Sequence, residues 1–544
     1  MDGPEESEEL AGVLAGLKER SGLSYQELGR RVFTSSSTLH RYCNGKGTPA
    51  DFDLVVRIAK ECGADAEELN TLLGCWKTAT GQGQAKGPVQ APTQATAEVP
   101  AEVPTRRRRP LWGLRLLLAA VMALVILGTA VASAPYEPAT LPVAAPVGST
   151  SWEQTPRPVD PELFGVTMNS FSGAMPSFRT GALRLWDSET RWAQLEPAKG
   201  EYDWSTLDRV LNGAEREGLP TMFVFGATPS WAAPDARKAA YPESSRAAPP
   251  DHLDDWDDFV RALVRHAGAR IDAYELWAVA NHKHHYNGSV RTLVEMTRRA
   301  SRIIRKADGN ATVVCPSITD LWGAEAHEFL LRFAELGGYQ HCDAAGIKLY
   351  QRRVTDPPET MLEAVRKVDQ TFHRAGYHLP LWSTGTVQTL PLNDPLGEET
   401  AADHAVRFYL TGLYARNRGL ERMYFYAWGN GKIPLVLQAE GQPPTKAGEF
   451  VARLQRWLTS ADLRSCGRGL QIDLPRNVWQ CEFLIPDDRG TRRPAHIRWT
   501  HTGTAESHLG SGARTVEYLD GTTREVDGRE TVTVTGRPIL IRYG

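Results

Sequence analysis

The sequence predicts a multidomain chain: an all-α domain of helix-turn-helix form, one transmembrane helix, a (β/α)8 TIM barrel and a C-terminal β-sandwich. Three observations predict it. An uncharged apolar run at 116–133 divides the chain, short helical patterns precede it, and eight strand-like runs alternating with helical patterns follow it. At 544 residues the chain exceeds what one hydrophobic core organises. Hydrophobic residues at 41% and charged residues at 23% exclude wholesale disorder and a many-pass membrane protein. With 62 basic against 65 acidic residues, no global field steers the chain to nucleic acid or anionic lipid. Arginine outnumbers lysine 49 to 13, which points to GC-rich coding and a bacterial source.

The first domain is expected over 1–80. Leu10, Val13, Leu14 and Leu17 form a helical stripe, and Ser24 is a suitable N-cap for Tyr25–Val32. A second helix from Ser37 to Cys43 ends at Asn44-Gly45. This helix, short turn, helix order, with SSSTLHRYCNGKGTPA across the second helix, resembles the Cro/repressor type of helix-turn-helix domain. The resemblance implies that Ser36, Ser37, Thr38, His40 and Arg41 face DNA. Nine Lys and Arg against thirteen Asp and Glu in 1–80 is a poor balance for neutralising phosphate, so a protein-interaction module is the competing expectation.

Residues 81–109 are a Pro/Ala-rich linker ending in Arg106–Arg109, and 110–133 read as the transmembrane helix. About 22 helical residues span roughly 33 Å, enough for a bilayer core. The arginines before it place the N-terminus in the cytoplasm and the remainder outside the cell, a single-pass cell-membrane topology. Cys43, Cys62 and Cys75 then lie on the reducing side. Cys315, Cys342, Cys466 and Cys481 lie outside and allow three pairings, of which local pairing is the simplest.

A linker at 134–158 leads to a barrel over 159–459 and a β-sandwich over 460–544. The eight strand-like runs are 164–169, 182–187, 221–231, 273–281, 311–317, 342–350, 379–385 and 423–429. In such a barrel, function sits at the carboxyl ends of the strands.

EYDWSTLD at 201–208, TPSWA at 228–232, YELWAVAN at 274–281 and PLWSTGT at 380–386 resemble clan-A glycoside hydrolases, most closely family 39, the β-xylosidase and iduronidase group. Retaining enzymes of this kind need an acid/base and a nucleophilic carboxyl about 5–5.5 Å apart. The resemblance puts the acid/base at Val279 and the nucleophile at Gly385, so neither carboxyl is present, and Ala278 and Lys348-Leu349 depart from the pattern too. The expectation is a pseudoenzyme with no catalytic residue, binding an oligosaccharide, a cell-surface glycan or a protein partner. An active hydrolase with relocated carboxylates and a plain interaction scaffold are the alternatives. The resemblance further implies sugar contacts from Arg184, Trp231, Trp277, Asn281, Tyr350 and Trp428, although Arg184 with Glu275 also reads as a buried ion pair. Glu196 reads as framework. No Cys/His spacing implies zinc, the His282, His284 and His285 loop reads as solvated, and no cofactor is expected.

Overall fold

The computed structural model describes residues 5–32, 36–49, 52–64, 66–79, 151–241, 243–353, 355–385, 396–429 and 437–544. The chain divides into two compact units, 1–141 and 142–544.

In the first unit five helices, α1 (Glu5–Ser21), α2 (Tyr25–Val32), α3 (Ser36–Cys43), α4 (Phe52–Glu61) and α5 (Ala66–Ala79), surround one small core. Leu10, Leu14 and Leu17 of α1 pack with Leu28, Leu39, Ile58 and Leu72. Ser24 Oγ accepts the Glu27 N–H and caps α2. The three cysteines of this unit are buried free thiols, and burial raises the pKa of each.

In the second unit eight parallel strands close into a barrel: β2 (Phe164–Asn169), β3 (Ala182–Leu185), β4 (Thr221–Val224), β5 (Ala273–Glu275), β6 (Thr312–Ile318), β7 (Ala344–Ile347), β8 (Leu381–Ser383) and β9 (Leu420–Gly429), with β9 paired to both β8 and β2. The strands read as nearly continuous apolar runs because both faces are buried, one in the barrel interior and one under the helices. Cys315–Cys342 ties β6 to the start of β7 across a Cα separation of 5.4 Å. A two-residue strand, β10 (Gln438–Ala439), extends the sheet beside β9.

In the C-terminal region, where a β-sandwich is expected, one large sheet is accompanied by a two-stranded pair. Strands β11 (Asp462–Arg468), β12 (Val478–Pro486), β13 (Arg492–Thr500), β15 (Ala513–Tyr518), β16 (Thr523–Glu525) and β18 (Ile539–Tyr543) form one sheet, while β14 (Ala505–His508) pairs only with β17 (Thr531–Val534). The sheet's edge is β1 (Trp152–Pro158), which corrects the expected linker at 134–158: its last seven residues pair with β11. One face of the sheet shares a core with the barrel. Trp479 packs edge-on against Tyr414, and buried Arg407 pairs with buried Glu359, which also accepts the Trp499 N–H at 2.6 Å. The β14–β17 pair covers a second core formed by Val516, Val532, Val534, Ile539 and Ile541. Cys466–Cys481 lies between directly paired residues of β11 and β12.

The single-pass membrane topology is corrected. Among the described residues no helix is long and apolar enough to cross a membrane. The 110–133 run on which that expectation rested, with the flanking 81–109 and 134–150, lies outside the described residues.

Candidate functional site at the barrel mouth

The carboxyl ends of β3, β5, β7 and β8 converge on a buried charged cluster. Arg184, from β3, donates through Nε to Glu275 Oε2 at 2.7 Å, and both side chains are almost wholly excluded from solvent. Lys348, just past β7, stands 3.7 Å from Glu275 Oε1 and donates to Thr384 Oγ1 at 3.1 Å. Thr384 Oγ1 in turn donates to Glu275 Oε1 at 3.2 Å. Burial opposes ionisation of Glu275, but Arg184 and Lys348 outweigh it and hold its carboxyl below the usual range.

Burial, reinforced by Arg184, pulls the Lys348 ammonium down to about 7. An unfolded lysine titrates near ~10.4, so between those values the unfolded chain holds a proton that the folded one has released. The stability linked to Lys348 is therefore full above the unfolded value and lost as pH falls toward the folded one. Stability should rise from roughly pH 7 to 10, and Lys348→Met should flatten that rise in denaturant midpoints measured across the window.

Val279, in the loop after β5, is held at φ 55° with its N–H on Ser317 Oγ at 3.0 Å. A β-branched residue rarely adopts that left-handed conformation, and such residues concentrate at functional sites. Its side chain packs with Trp186, Val224 and Ala278. Gly385 follows β8 at φ 130°, where an L side chain is strained.

The mouth also carries groups that the sequence did not single out as a site. Asp187, after β3, accepts from Tyr426 Oη at 2.5 Å and from Arg191 at 3.2 Å, and Arg191 pairs with Glu243 at 2.7 Å. Tyr241 lies under the Arg191 guanidinium and its hydroxyl meets His285 Nδ1. Burial takes His285 down to about 3, so its ring is neutral, which corrects its reading as a solvated loop residue. Tyr241 and His285 are 44 residues apart, and only the fold brings them together. Among the described residues no group of His, Cys, Asp and Glu side chains could hold a metal ion.

The expected sugar contacts divide. Trp277 and Trp428 are core residues: both are buried, and their ring N–H groups donate to His285 O and Gln438 Oε1. Asn281 is engaged with the backbone, bonding both the N–H and the carbonyl of Thr319. Trp277 and Trp428 are corrected as sugar contacts, because neither their faces nor their ring N–H groups are open, while half-buried Asn281 has its side-chain polar atoms on Thr319. Arg184 is committed to Glu275 through Nε. Trp231 and Tyr350 are half-buried; Trp231 donates to Glu196 O at 2.9 Å and Tyr350 Oη donates to Asp320 at 2.7 Å. Glu196 accepts from Trp192 and from the Gly200 N–H, a framework role. Phe171, after β2, is 49% exposed.

In the first unit Ser36, His40 and Arg41 lie exposed on α3, Thr38 is half-buried beside buried Leu39, and Ser37 belongs to the same helix. Arg41 reaches back to the Lys46 carbonyl at 3.4 Å, bracing the loop that follows.

Residues 9–72 match the family model described as a helix-turn-helix domain, and 174–282 match one described as beta-galactosidase. The second unit is similar in fold to a family 39 glycoside hydrolase from Bacteroides cellulosilyticus WH2, at 16% identity over 71% of this chain and 81% of that one, TM-score 0.53. It is also similar to a family 39 β-xylosidase from Caulobacter crescentus, at 14% identity over 72% and 98% of the two chains, TM-score 0.52. A family 39 enzyme from Xanthomonas axonopodis pv. citri aligns at 14% identity over 72% and 95%, TM-score 0.50. Among curated proteins none matches. At these identities the likeness establishes the fold alone. The chain is a helix-turn-helix domain fused to a glycoside-hydrolase-like barrel.

Proposed function

We propose that the chain is a regulator in which a DNA-binding helix-turn-helix domain is joined to a barrel that binds carbohydrate without hydrolysing it. One observation carries the barrel half. The sequence resemblance to retaining clan-A enzymes assigns the acid/base and nucleophile positions to Val279 and Gly385, a side chain that cannot transfer a proton and no side chain at all. Half-buried Trp231 and Tyr350, with exposed Phe171, are the aromatic groups left to contact a sugar ring. Calorimetric titration of the full chain with xylo- and gluco-oligosaccharides tests this half. Saturable heat with unchanged oligosaccharide recovered afterwards supports it, and recovery of cleavage products refutes it.

A second reading, hydrolysis through relocated carboxylates, draws on Asp187, which stands past the end of β3 with a phenol and a guanidinium on its oxygens.

The DNA half rests on the helix-turn-helix match and on the exposure of Ser36, His40 and Arg41 along α3. Arg41→Ala should weaken operator binding by about 1–3 kcal/mol if it reads a base, or lower it uniformly and flatten the salt dependence if it meets a phosphate. Titration of the full chain with operator-length duplexes at several salt concentrations checks this. Absence of any duplex binding even at low salt would favour a protein-interaction module.

A further inference from the structure

The space left at Gly385 is surrounded by hydrogen-bond donors. A β-carbon built there would sit 3.6 Å from Lys348 Nζ, 3.8 Å from Thr167 Oγ1 and 4.0 Å from Arg184 Nη1. All three side chains are more than nine-tenths buried. Among the described residues, Thr167 Oγ1 and Arg184 Nη2 have no hydrogen-bond partner. Buried donors without an acceptor are destabilising, charged ones most of all.

The local charge is unbalanced in the same sense. Arg184 and the Lys348 amine, a cation when protonated, stand beside the carboxylate of Glu275, whose Oε2 is taken by Arg184 and whose Oε1 accepts from Thr384. Asp187 also acts on Lys348, but its oxygens are held by Arg191 and Tyr426. An acceptor-only, negatively charged group placed beside Gly385 would meet unpartnered Thr167 Oγ1, the Arg184 guanidinium and Lys348 Nζ, which also donates to Thr384 O and Oγ1, and charge-assisted bonds of this kind are the strong ones.

We propose that this nook receives a carboxylate of the ligand, lodged on Lys348, Thr167 and Arg184 where Gly385 leaves room, so that the barrel selects an acidic sugar or another small carboxylic acid over neutral sugars. The inference rests on the reading of the barrel as a non-hydrolytic binder and names the class of what it binds. Glycine is needed at 385 for its backbone angle; a β-carbon there would meet these donors only at ordinary contact distance, and a longer side chain would compete with the ligand for them. Lys348 makes the site pH-dependent. The groups acting on it are Arg184, Glu275 and Asp187, with neutral His285 nearby, and a carboxylate would favour its charged form.

The test is calorimetry on the full chain with glucuronate, galacturonate, glucose, xylose and acetate as separate probes. The uronates should bind at least about tenfold tighter than glucose or xylose, and more tightly near pH 6 than near pH 8.5. Lys348→Met should reduce uronate affinity by about tenfold or more, and Thr167→Val by a smaller factor. Should either variant fail to fold, proton uptake on binding to the unaltered protein near pH 8, read from titrations in two buffers of different ionisation enthalpy, reports on Lys348 instead. Acetate binding without uronate binding would support the carboxylate site and identify a free small acid as its occupant. Equal affinity for uronates and neutral sugars, or uronate binding unmoved by Lys348→Met and without proton uptake, would overturn the proposal. Cleavage of a neutral glycoside alongside preferential uronate binding would refute the non-hydrolytic reading and leave the carboxylate site standing.

Discussion

Glu275→Gln is expected to destabilise the second unit by about 3–5 kcal/mol, the range for breaking a buried ion pair by removing one partner. The substitution leaves the Arg184 guanidinium as a buried cation without its ion-pair partner, in a place where it does not reach solvent. The amide has one oxygen for two donors, Arg184 Nε and Thr384 Oγ1, so one of them also loses its acceptor. Urea denaturation of the full chain, following the transition of the second unit, measures it. The contrast is Glu295→Gln, whose partners Arg298 and Arg299 lie with it on a partly exposed helix face. That change should cost under about 1 kcal/mol. Equal shifts for the two variants would mean that the Arg184–Glu275 pair does not organise the barrel mouth.

The second large effect is kinetic. On the proposed non-hydrolytic reading, the absence of a proton donor at 279 removes the ~10²–10⁴ in rate that general acid–base participation supplies, and the absence of a side chain at 385 removes the covalent route as well. Restoring single residues should not recover it simply. Val279 stands at φ 55° and Gly385 at φ 130°, so a glutamate at either position would inherit a backbone angle that strains L side chains.

Much of this architecture was legible in the sequence for a definite reason. Parallel strands buried on both faces read as apolar runs such as FGVTMN and ALRL, and their alternation with helical patterns leaves few topologies besides the closed barrel. The Arg184–Glu275 pair was legible because two opposite charges sat inside otherwise apolar strands. Strand β1 was not: WEQTPRP carries two prolines and mostly exposed side chains, the composition of an edge strand, which resembles a linker until its partner β11 is known. The rings of Trp277 and Trp428 were misjudged because a position near a strand end does not say which way the ring turns. Their N–H partners, His285 O and Gln438, come from a loop and from the short strand β10. The membrane expectation failed differently: it rested on an apolar run, the arginine cluster before it and the partition of the cysteines, and no described helix meets the requirement for a span. The Asp187–Tyr426 and Tyr241–His285 contacts join residues far apart in the chain, and no local pattern announces such pairs.

Product release from aryl xylosides, glucosides, galactosides and glucuronides, followed over long incubations of the purified full chain, tests the central claim most directly. The account predicts no product above the buffer rate for any of them, under conditions where calorimetry still detects ligand binding. Turnover that disappears on replacement of one carboxylate, with Asp187→Asn as the first to examine, would contradict it and show that the barrel is an enzyme whose chemistry has moved away from positions 279 and 385.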